Sequence, residues 1–450
     1  MYTVLLSGGS GKRLWPLSND LRSKQYIKIF EDGNGKRLSM VQRVVGQLND
    51  AGIKDNFFIC AGNSQLEIIR SQLGDIGIAV EPERRDTFPA VVISCAYALS
   101  KLGAKRDDCI TVLPVDPYTE DKYFSTVKTL EEKLRQSNAD IALMGAVPDK
   151  PSSKFGYIVP DKFYDGYFSV GGFKEKPDAD TADKLIKSGA LYNCGVFCFK
   201  LGYIAGLVEK EGLKCDYDYI YENYTELPKT SFDYKVLERC KKMIAVPFEG
   251  MWKDLGTWNT FSSEMQTDTI GYAIKDGCEN VKIINELDIP IITSGIDGQI
   301  VVASADGILV TGKDSSEKLK ESVEKIKLAP MYEERRWGTL KTVDRSDNSI
   351  TRRVVMFKGM NSSLHYHNKR DEIWVFLSGS GEMILDNERF TVSEGDTVKI
   401  PRGVNHMIKA DEELEFLEVH IGKSERSDIN RLSFDWKQTV KKSVEKRWGL

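Results

Sequence analysis

Short apolar runs alternate with stretches of helical periodicity from the first residue, and this alternation restricts the fold more than any other feature of the chain. Residues 2–7, 56–61, 109–115 and 140–147 read as strands, and residues 39–49, 90–102 and 123–137 repeat apolar positions at helical spacing. Successive βα units predict a mostly parallel sheet with helices on both faces. The alternation stops near residue 267. Residues 280–285, 289–296, 299–303 and 307–310 are short β pieces punctuated by Gly, Asn and Asp, a β-rich segment of β-helix-like character. Residues 313–327 are charged and predict a connecting helix. From residue 332 brief strands recur without helical periodicity, the pattern of an all-β barrel. The 450 residues exceed what one core organises, and three parts are expected: 1–266, 267–329 and 330–450.

Composition narrows the function. A formal net charge of −4 argues against nucleic-acid and membrane-surface partners. No run of about 18 apolar residues predicts a membrane span, and the chain opens into a strand, not a leader pattern. Eight cysteines without CxxC spacing read as reduced core thiols of a cytoplasmic protein. The four histidines, His365, His367, His406 and His420, all lie late in the sequence. The first 300 residues therefore work without imidazole, and any histidine metal site falls in the last part.

The stretch LLSGGSGKRLWPLS places a Gly-rich turn directly after the first strand. Gly8, Gly9 and Gly11 let backbone N–H groups approach phosphate oxygens, and Lys12 and Arg13 add positive charge. A Walker A loop is excluded, because Leu6 and Arg13 stand where it needs Gly and Ser or Thr. A dinucleotide fingerprint is excluded by Leu14. Lys24 and Gln25 follow at a distance that could close over the same ligand. Asp116 ends a strand at the carboxyl edge of the sheet, where ligands bind in open parallel sheets and where a carboxylate suits Mg2+. Asp254 offers a second carboxylate beside Gly256 and two tryptophans.

The run GSGKRLWPLS, then LPVD, FKEKP at 173–177, YNCGVF at 192–197 and WKDLGTW at 252–258, resembles the sugar-phosphate nucleotidylyltransferases, and among them the mannose-1-phosphate guanylyltransferases. That resemblance implies a Rossmann-like α/β domain of GT-A type. It also implies transfer of a nucleotidyl group from an NTP, GTP in the guanylyltransferase branch, to a sugar 1-phosphate, mannose 1-phosphate in that branch. Leu6, Gly8, Gly9, Gly11, Lys12 and Arg13 match the nucleotide-phosphate loop and Lys24 its second basic contact. Arg84, Asp86 and Thr87 fall in the base-reading segment. Asp116 and Asp254 match the Mg2+-holding pair. Gly156, Glu175, Lys176 and Asn193, with Asp254, match the sugar and sugar-phosphate grip, and Arg13, Lys24, Asp116, Lys176 and Asp254 carry catalysis. Lys12, Asp86, Phe88, Pro117 and Tyr192 depart from the usual Thr, Asn, Ala, His and Trp, so base and sugar recognition are less fixed than the phosphate chemistry. Another NTP or sugar 1-phosphate is the alternative within this class; a sensor that kept the fold without turnover lies outside it. The segment 267–311 looks like packing or dimer contact, which makes a homodimer the expected assembly.

In the last part, Gly359, His365, His367, Glu372 and Gly379 stand at the full spacing of a first cupin motif. Gly395, Pro401, Gly403 and His406 supply the second, with Ala410 replacing its terminal Asn. A cupin jelly roll would point His365, His367, Glu372 and His406 inward as ligands of Zn, Fe, Mn or Ni. RRWG at 335–338, HYHNKRDEIWVFLSG and DINRL at 428–432 resemble the C-terminal domain of bifunctional guanylyltransferase and type II phosphomannose isomerase enzymes. This implies a second, isomerase activity with Arg431 as helper, which Lys369, in place of a frequent His, weakens.

Overall fold

The computed structural model describes residues 1–9, 12–327, 329–423, 425 and 427–445, without the side chains of Lys12, Glu317, Lys318 and Glu445. Besides a small hairpin of Lys28–Glu31 with Arg37–Ser39, the strands of the first part are β1 (Tyr2–Leu6), β2 (Phe57–Gly62), β3 (Ile78–Glu81), β4 (Cys109–Pro114), β5 (Pro117–Thr119), β6 (Ile141–Ala146), β7 (Tyr157–Tyr164), β8 (Tyr167–Lys174), β9 (Leu191–Lys200), β10 (Met243–Phe248) and β11 (Trp252–Asp254). Nine of them form one sheet in the order β3-β2-β1-β4-β9-β6-β10-β8-β7. The helices α1 (Met40–Asp50), α2 (Leu66–Leu73), α3 (Thr87–Lys101) and α4 (Asp121–Gln136) cover the faces of the sheet. Helix α1 starts where the sequence provides a capping box: Ser39 Oγ accepts from Gln42 N, and the Gln42 side chain accepts from Ser39 N. Such a cap contributes about 1 kcal/mol. It then buries Met40, Val41, Val44 and Leu48, spaced along one face, on the sheet.

Strand β9 runs antiparallel between β4 and β6, with Tyr192 opposite Ala146 and Asn193 opposite Gly145. An inserted antiparallel strand puts its beginning where its neighbours end. Asn193 therefore reaches the same edge as the carboxyl ends of β1 and β4. The short ladder of β5 with β11 sets Asp254 opposite Pro117, beside Asp116.

The middle segment winds as two parallel ladders. Thr269 pairs with Ile283 after fourteen residues, Ala273 with Ile291 and Lys282 with Ile300 after eighteen, and the strand Gly307–Gly312 closes the stack antiparallel. The connecting helix expected over 313–327 is much shorter: a 3-10 turn (Asp314–Lys318) leads into Leu319–Val323, labelled α6, after α5 (Trp258–Ser263). Leu319 is the residue of α6 that packs on the core. A charged run with one apolar anchor has no face to bury along a longer helix.

Two six-stranded sheets make the last part. Leu340, Val354, Met356, Trp374, Phe376, Met383 and Phe416 form its core between them. Buried polar contacts seat it on the first part: Glu334, nearly fully buried, accepts Lys28 Nζ at 2.9 Å, Ser71 Oγ at 2.7 Å and Gln72 Nε2 at 3.3 Å. Arg22 bonds both carboxylate oxygens of Glu286, at 2.8 and 2.9 Å, and stacks on Tyr332. Gly307 abuts Trp15, where an added Cβ would stand 2.5 Å from the indole ring. Among the described residues no helix is long and apolar enough to cross a membrane.

Candidate active site and metal-binding barrel

A cleft of about 520 Å³ opens at the sheet edge where β1 and β4 end. Gly8, Gly9 and Arg13 form one end of its lining; Lys154, Gly156, Glu175, Asn193 and Asp233 form the other. Asp116 and Asp254 stand between them. Both carboxylates converge on one ammonium: Lys24 Nζ lies 2.7 Å from Asp116 Oδ2 and 3.4 Å from Asp254 Oδ1. Burial alone would lower the Lys24 pKa, but the two carboxylates reverse this and raise it. Burial would raise Asp116, and Lys24 holds it below its usual range. Gly256 leaves room for the Asp254 carboxylate, since a Cβ there would sit 3.1 Å from Oδ2.

At the opposite end, Glu175 Oε1 receives at 2.7 Å the Nζ of Lys176, which does not itself line the cleft, and Lys176 adopts a left-handed backbone with φ of +43°. A non-glycine residue in that region costs roughly 1–3 kcal/mol and is retained where surrounding structure fixes it. Here Lys176 N donates to Phe155 O at 3.2 Å. A Cβ on Gly156 would stand 2.5 Å from Glu175 Oε2 and 3.0 Å from the Phe173 ring, so a side chain here would displace the Glu175 carboxylate. Asn193 Nδ2 donates to Asp233 Oδ1 at 2.8 Å. Asp233 has no motif around it and was not anticipated from the sequence. Burial first, and the neighbouring Glu175 second, push its carboxyl up to about 7.

Other expected residues lie elsewhere. Leu6 ends β1 and packs against the core. Gly11 lies outside the described residues, as does the side chain of Lys12. Arg84, Asp86 and Thr87 do not line the cleft. Asp86 caps α3, accepting from Thr87 N at 2.8 Å. Arg84 faces Asp20 at 3.5 Å, and Thr87 Oγ1 accepts from Phe232 N, tying α3 to the segment that carries Asp233.

Inside the barrel, ligand atoms of His365, His367 and His406 lie within 4.8 Å of one another. Each ring is oriented through Nδ1 by a backbone carbonyl: Ser363 O at 2.7 Å for His365, Asp428 O for His367, and Val404 O at 3.1 Å for His406. This turns Nε2 of each ring toward the shared space, where His367 Nε2 accepts from Arg370 Nη2 at 2.9 Å. His406 Nε2 is buried without a hydrogen-bond partner, the atom a metal would satisfy. Burial holds His365 well below its usual pKa and His367 down to about 4, the neutral state that ligates. Glu372 approaches His367 Nε2 at 3.2 Å and His406 Nε2 at 3.6 Å, but it also accepts Arg370 Nε at 2.8 Å and Trp374 Nε1 at 3.0 Å. His420, not assigned a role from the sequence, stands 3.4 Å from Glu372 and against Glu418. Although burial would raise Glu418, His420 holds it low.

Comparison with known families accounts for both sites. The Nucleotidyl transferase family model matches residues 2–270. The chain belongs to that family. Its membership makes the chain a nucleotidyltransferase. The Mannose-6-phosphate isomerase C-terminal model matches residues 325–434 and accounts for the cupin-type barrel. Mannose-1-phosphate guanylyltransferase of Escherichia coli K12 is 27% identical, covering 96% of this chain and 98% of its own. The xanthan biosynthesis protein XanB of Xanthomonas campestris is 28% identical, covering 93% and 95%. The crystal structure of mannose-1-phosphate geranyltransferase from Thermus thermophilus superposes with a TM-score of 0.61 at 26% identity, covering 73% of this chain and 99% of that one.

Proposed function

We propose that the cleft transfers GMP from GTP to mannose 1-phosphate, forming GDP-mannose and releasing pyrophosphate. One observation carries the reading: two carboxylates meet on Lys24 midway between a glycine-lined basic end and a polar pocket. The Escherichia coli and Xanthomonas relatives support guanine and mannose as base and sugar. A pair of carboxylate oxygens already gathered on a cation suits magnesium, which prefers oxygen donors and substrate phosphates. Bound there, magnesium would neutralise phosphate charge.

The residues of the chain do the positioning. Gly8 and Gly9 bring backbone N–H groups to the triphosphate, and Arg13 and Lys24 offset its charge. Lys176, held by Glu175, meets the sugar's phosphate, and Gly156 leaves space for the sugar. A phosphate oxygen of mannose 1-phosphate bonds to the α-phosphorus as the bond to the β-phosphate bridge breaks, and the electron pair leaves on pyrophosphate. No protein nucleophile or proton carrier is needed, which fits a first part without histidine. A matrix of NTPs against sugar 1-phosphates, scored by pyrophosphate produced, tests the assignment. GTP with mannose 1-phosphate should give the highest kcat/KM; preference for CTP or dTTP would refute the base, and no pyrophosphate from any pair would refute the reaction. Eight unbridged cysteines support a cytoplasmic setting.

Asp233 makes sugar binding pH-dependent. With a pKa near 7 it is largely neutral in acid and gains a negative charge beside Glu175 as pH rises. An anionic sugar phosphate should therefore bind less well above pH 7, with KM rising several-fold over about two pH units. Asp233→Asn should flatten that rise; an unchanged pH profile would exclude Asp233 as its source.

We assign a divalent metal to His365, His367 and His406, with Glu372 beside it. His406→Ala should lower the metal content of the purified chain from about one equivalent to a small fraction, measured by elemental analysis. Unchanged content would remove His406 from the ligand set. The match over 325–434 and the unpartnered His406 Nε2 favour a second reading, interconversion of mannose 6-phosphate and fructose 6-phosphate in the barrel. A coupled assay with the intact chain tests it across divalent metals, and absence of turnover with all of them would eliminate it.

A further inference from the structure

Residues 271–324 fall between the two matched family models, yet one side chain of that stretch reaches the reaction cleft. Lys320 of α6 lines it together with Gly8, Gly9 and Arg13. Its position is built from contacts on either side. Ser316 is fully buried, accepts the N–H of Asn259 at 3.2 Å and donates to Lys313 O at 2.8 Å, pinning the turn Asp314–Lys318 to α5. Leu319 packs on the main core, and α6 lies against the turn Lys12–Leu14 that carries Arg13. With Leu319 turned inward, the next residue stands about 100° around the helix, and at this position that direction faces the glycine-lined end of the cleft.

The charge of Lys320 is also less committed than that of Lys24 or Lys176. Lys24 is gripped by Asp116 and Asp254, and Lys176 by Glu175 at 2.7 Å. The ion pair of Lys320 is a long one, 3.8 Å to Glu324, between side chains 58% and 51% exposed. An exposed pair of that length contributes little and is readily exchanged for a better anion.

We propose that Lys320 is a phosphate-binding residue that contacts the β- and γ-phosphates and stabilises pyrophosphate as it leaves. The proposal rests on the nucleotide-transfer reading above. As the new bond forms at the α-phosphorus, the electron pair of the breaking bond stays on the β-phosphate oxygen. Negative charge therefore grows at the end of the cleft that Arg13 and Lys320 flank, away from Lys176 and Glu175. An ammonium reaching that oxygen makes a charge-assisted hydrogen bond that strengthens during reaction. The connecting segment thereby completes a site whose other parts all come from the first 256 residues.

Steady-state kinetics of the full-length chain in both directions test this with Lys320→Ala and Lys320→Arg. In the Ala variant, KM for pyrophosphate in the reverse reaction should rise about 10-fold, and kcat/KM for GTP should fall by a similar factor. KM for mannose 1-phosphate should stay within about 2-fold, and the Arg variant should recover most of the loss. A merely structural role would move all three constants together and lower the unfolding midpoint. Unchanged pyrophosphate KM in the Ala variant, or an equal change in mannose 1-phosphate KM, would overturn the proposal. Wild-type chain that released no pyrophosphate from any substrate pair would instead overturn the reaction assignment beneath it.

Discussion

Asp116→Ala is expected to lower kcat/KM for nucleotide transfer by roughly 10³-fold or more, the scale seen when a group that stabilises transition-state charge is removed. The reaction brings two polyanions together, so its barrier is mostly electrostatic. Asp116, in the turn between β4 and β5, and Asp254, at the end of β11, reach one ammonium, which is the geometry of a shared cation site. Losing either carboxylate should release the same cation. Asp254→Ala should therefore cost about as much as Asp116→Ala, and the double variant little more than either, because groups acting as a unit are not additive. Additive losses would show two independent roles. The Asn variants keep an acceptor for Lys24 and should unfold at the wild-type midpoint while remaining inactive. Substantial activity in Asp116→Asn would exclude cation binding as its function.

The largest expected loss of stability is at Trp258. Its side chain is fully buried, packs edge-on against Phe261 with ring centroids 5.6 Å apart, and donates Nε1–H to Trp15 O at 2.9 Å. Trp258→Ala should destabilise by about 3–5 kcal/mol through the cavity it leaves. It should also loosen the segment after the phosphate loop, which Ser304 holds through Pro16 O at 2.8 Å and Asp306 through Asn19 at 2.6 Å. The measured signs are a lower urea midpoint and a raised KM for GTP. Trp258→Phe fills most of the space and lacks the donor, so it should lose about 1 kcal/mol. If the two variants lost equal stability, the hydrogen bond to Trp15 and not the packing would be the main contribution.

Ion pairing among the three parts converges on the same stretch. Arg22 meets Glu286 and Tyr332, and Lys28 meets Glu334, so the middle and last parts brace the segment that follows the phosphate-binding turn.

Much of this was written locally. The glycine turn after β1, Asp116 at the end of β4 and the His365, His367 and His406 spacing are all short-range patterns, because strand alternation and turn chemistry act over a few residues. The direction of β9 was not legible, since an apolar strand has the same period whether it runs parallel or antiparallel to its neighbours. Yet that direction brings Asn193 to the cleft. Asp233 and Lys320 carry no motif, and His420 differs from its barrel partners only in spacing. They acquire their positions from contacts: Asp233 with Asn193 forty residues away, Lys320 through Ser316 on Asn259, and His420 beside Glu372 through strand pairing. The sequence by itself therefore determined most of the element types and the phosphate and histidine motifs. The tertiary structure alone decided which distant charges share a cavity, because burial and electrostatic coupling depend on distances in space that no local period encodes.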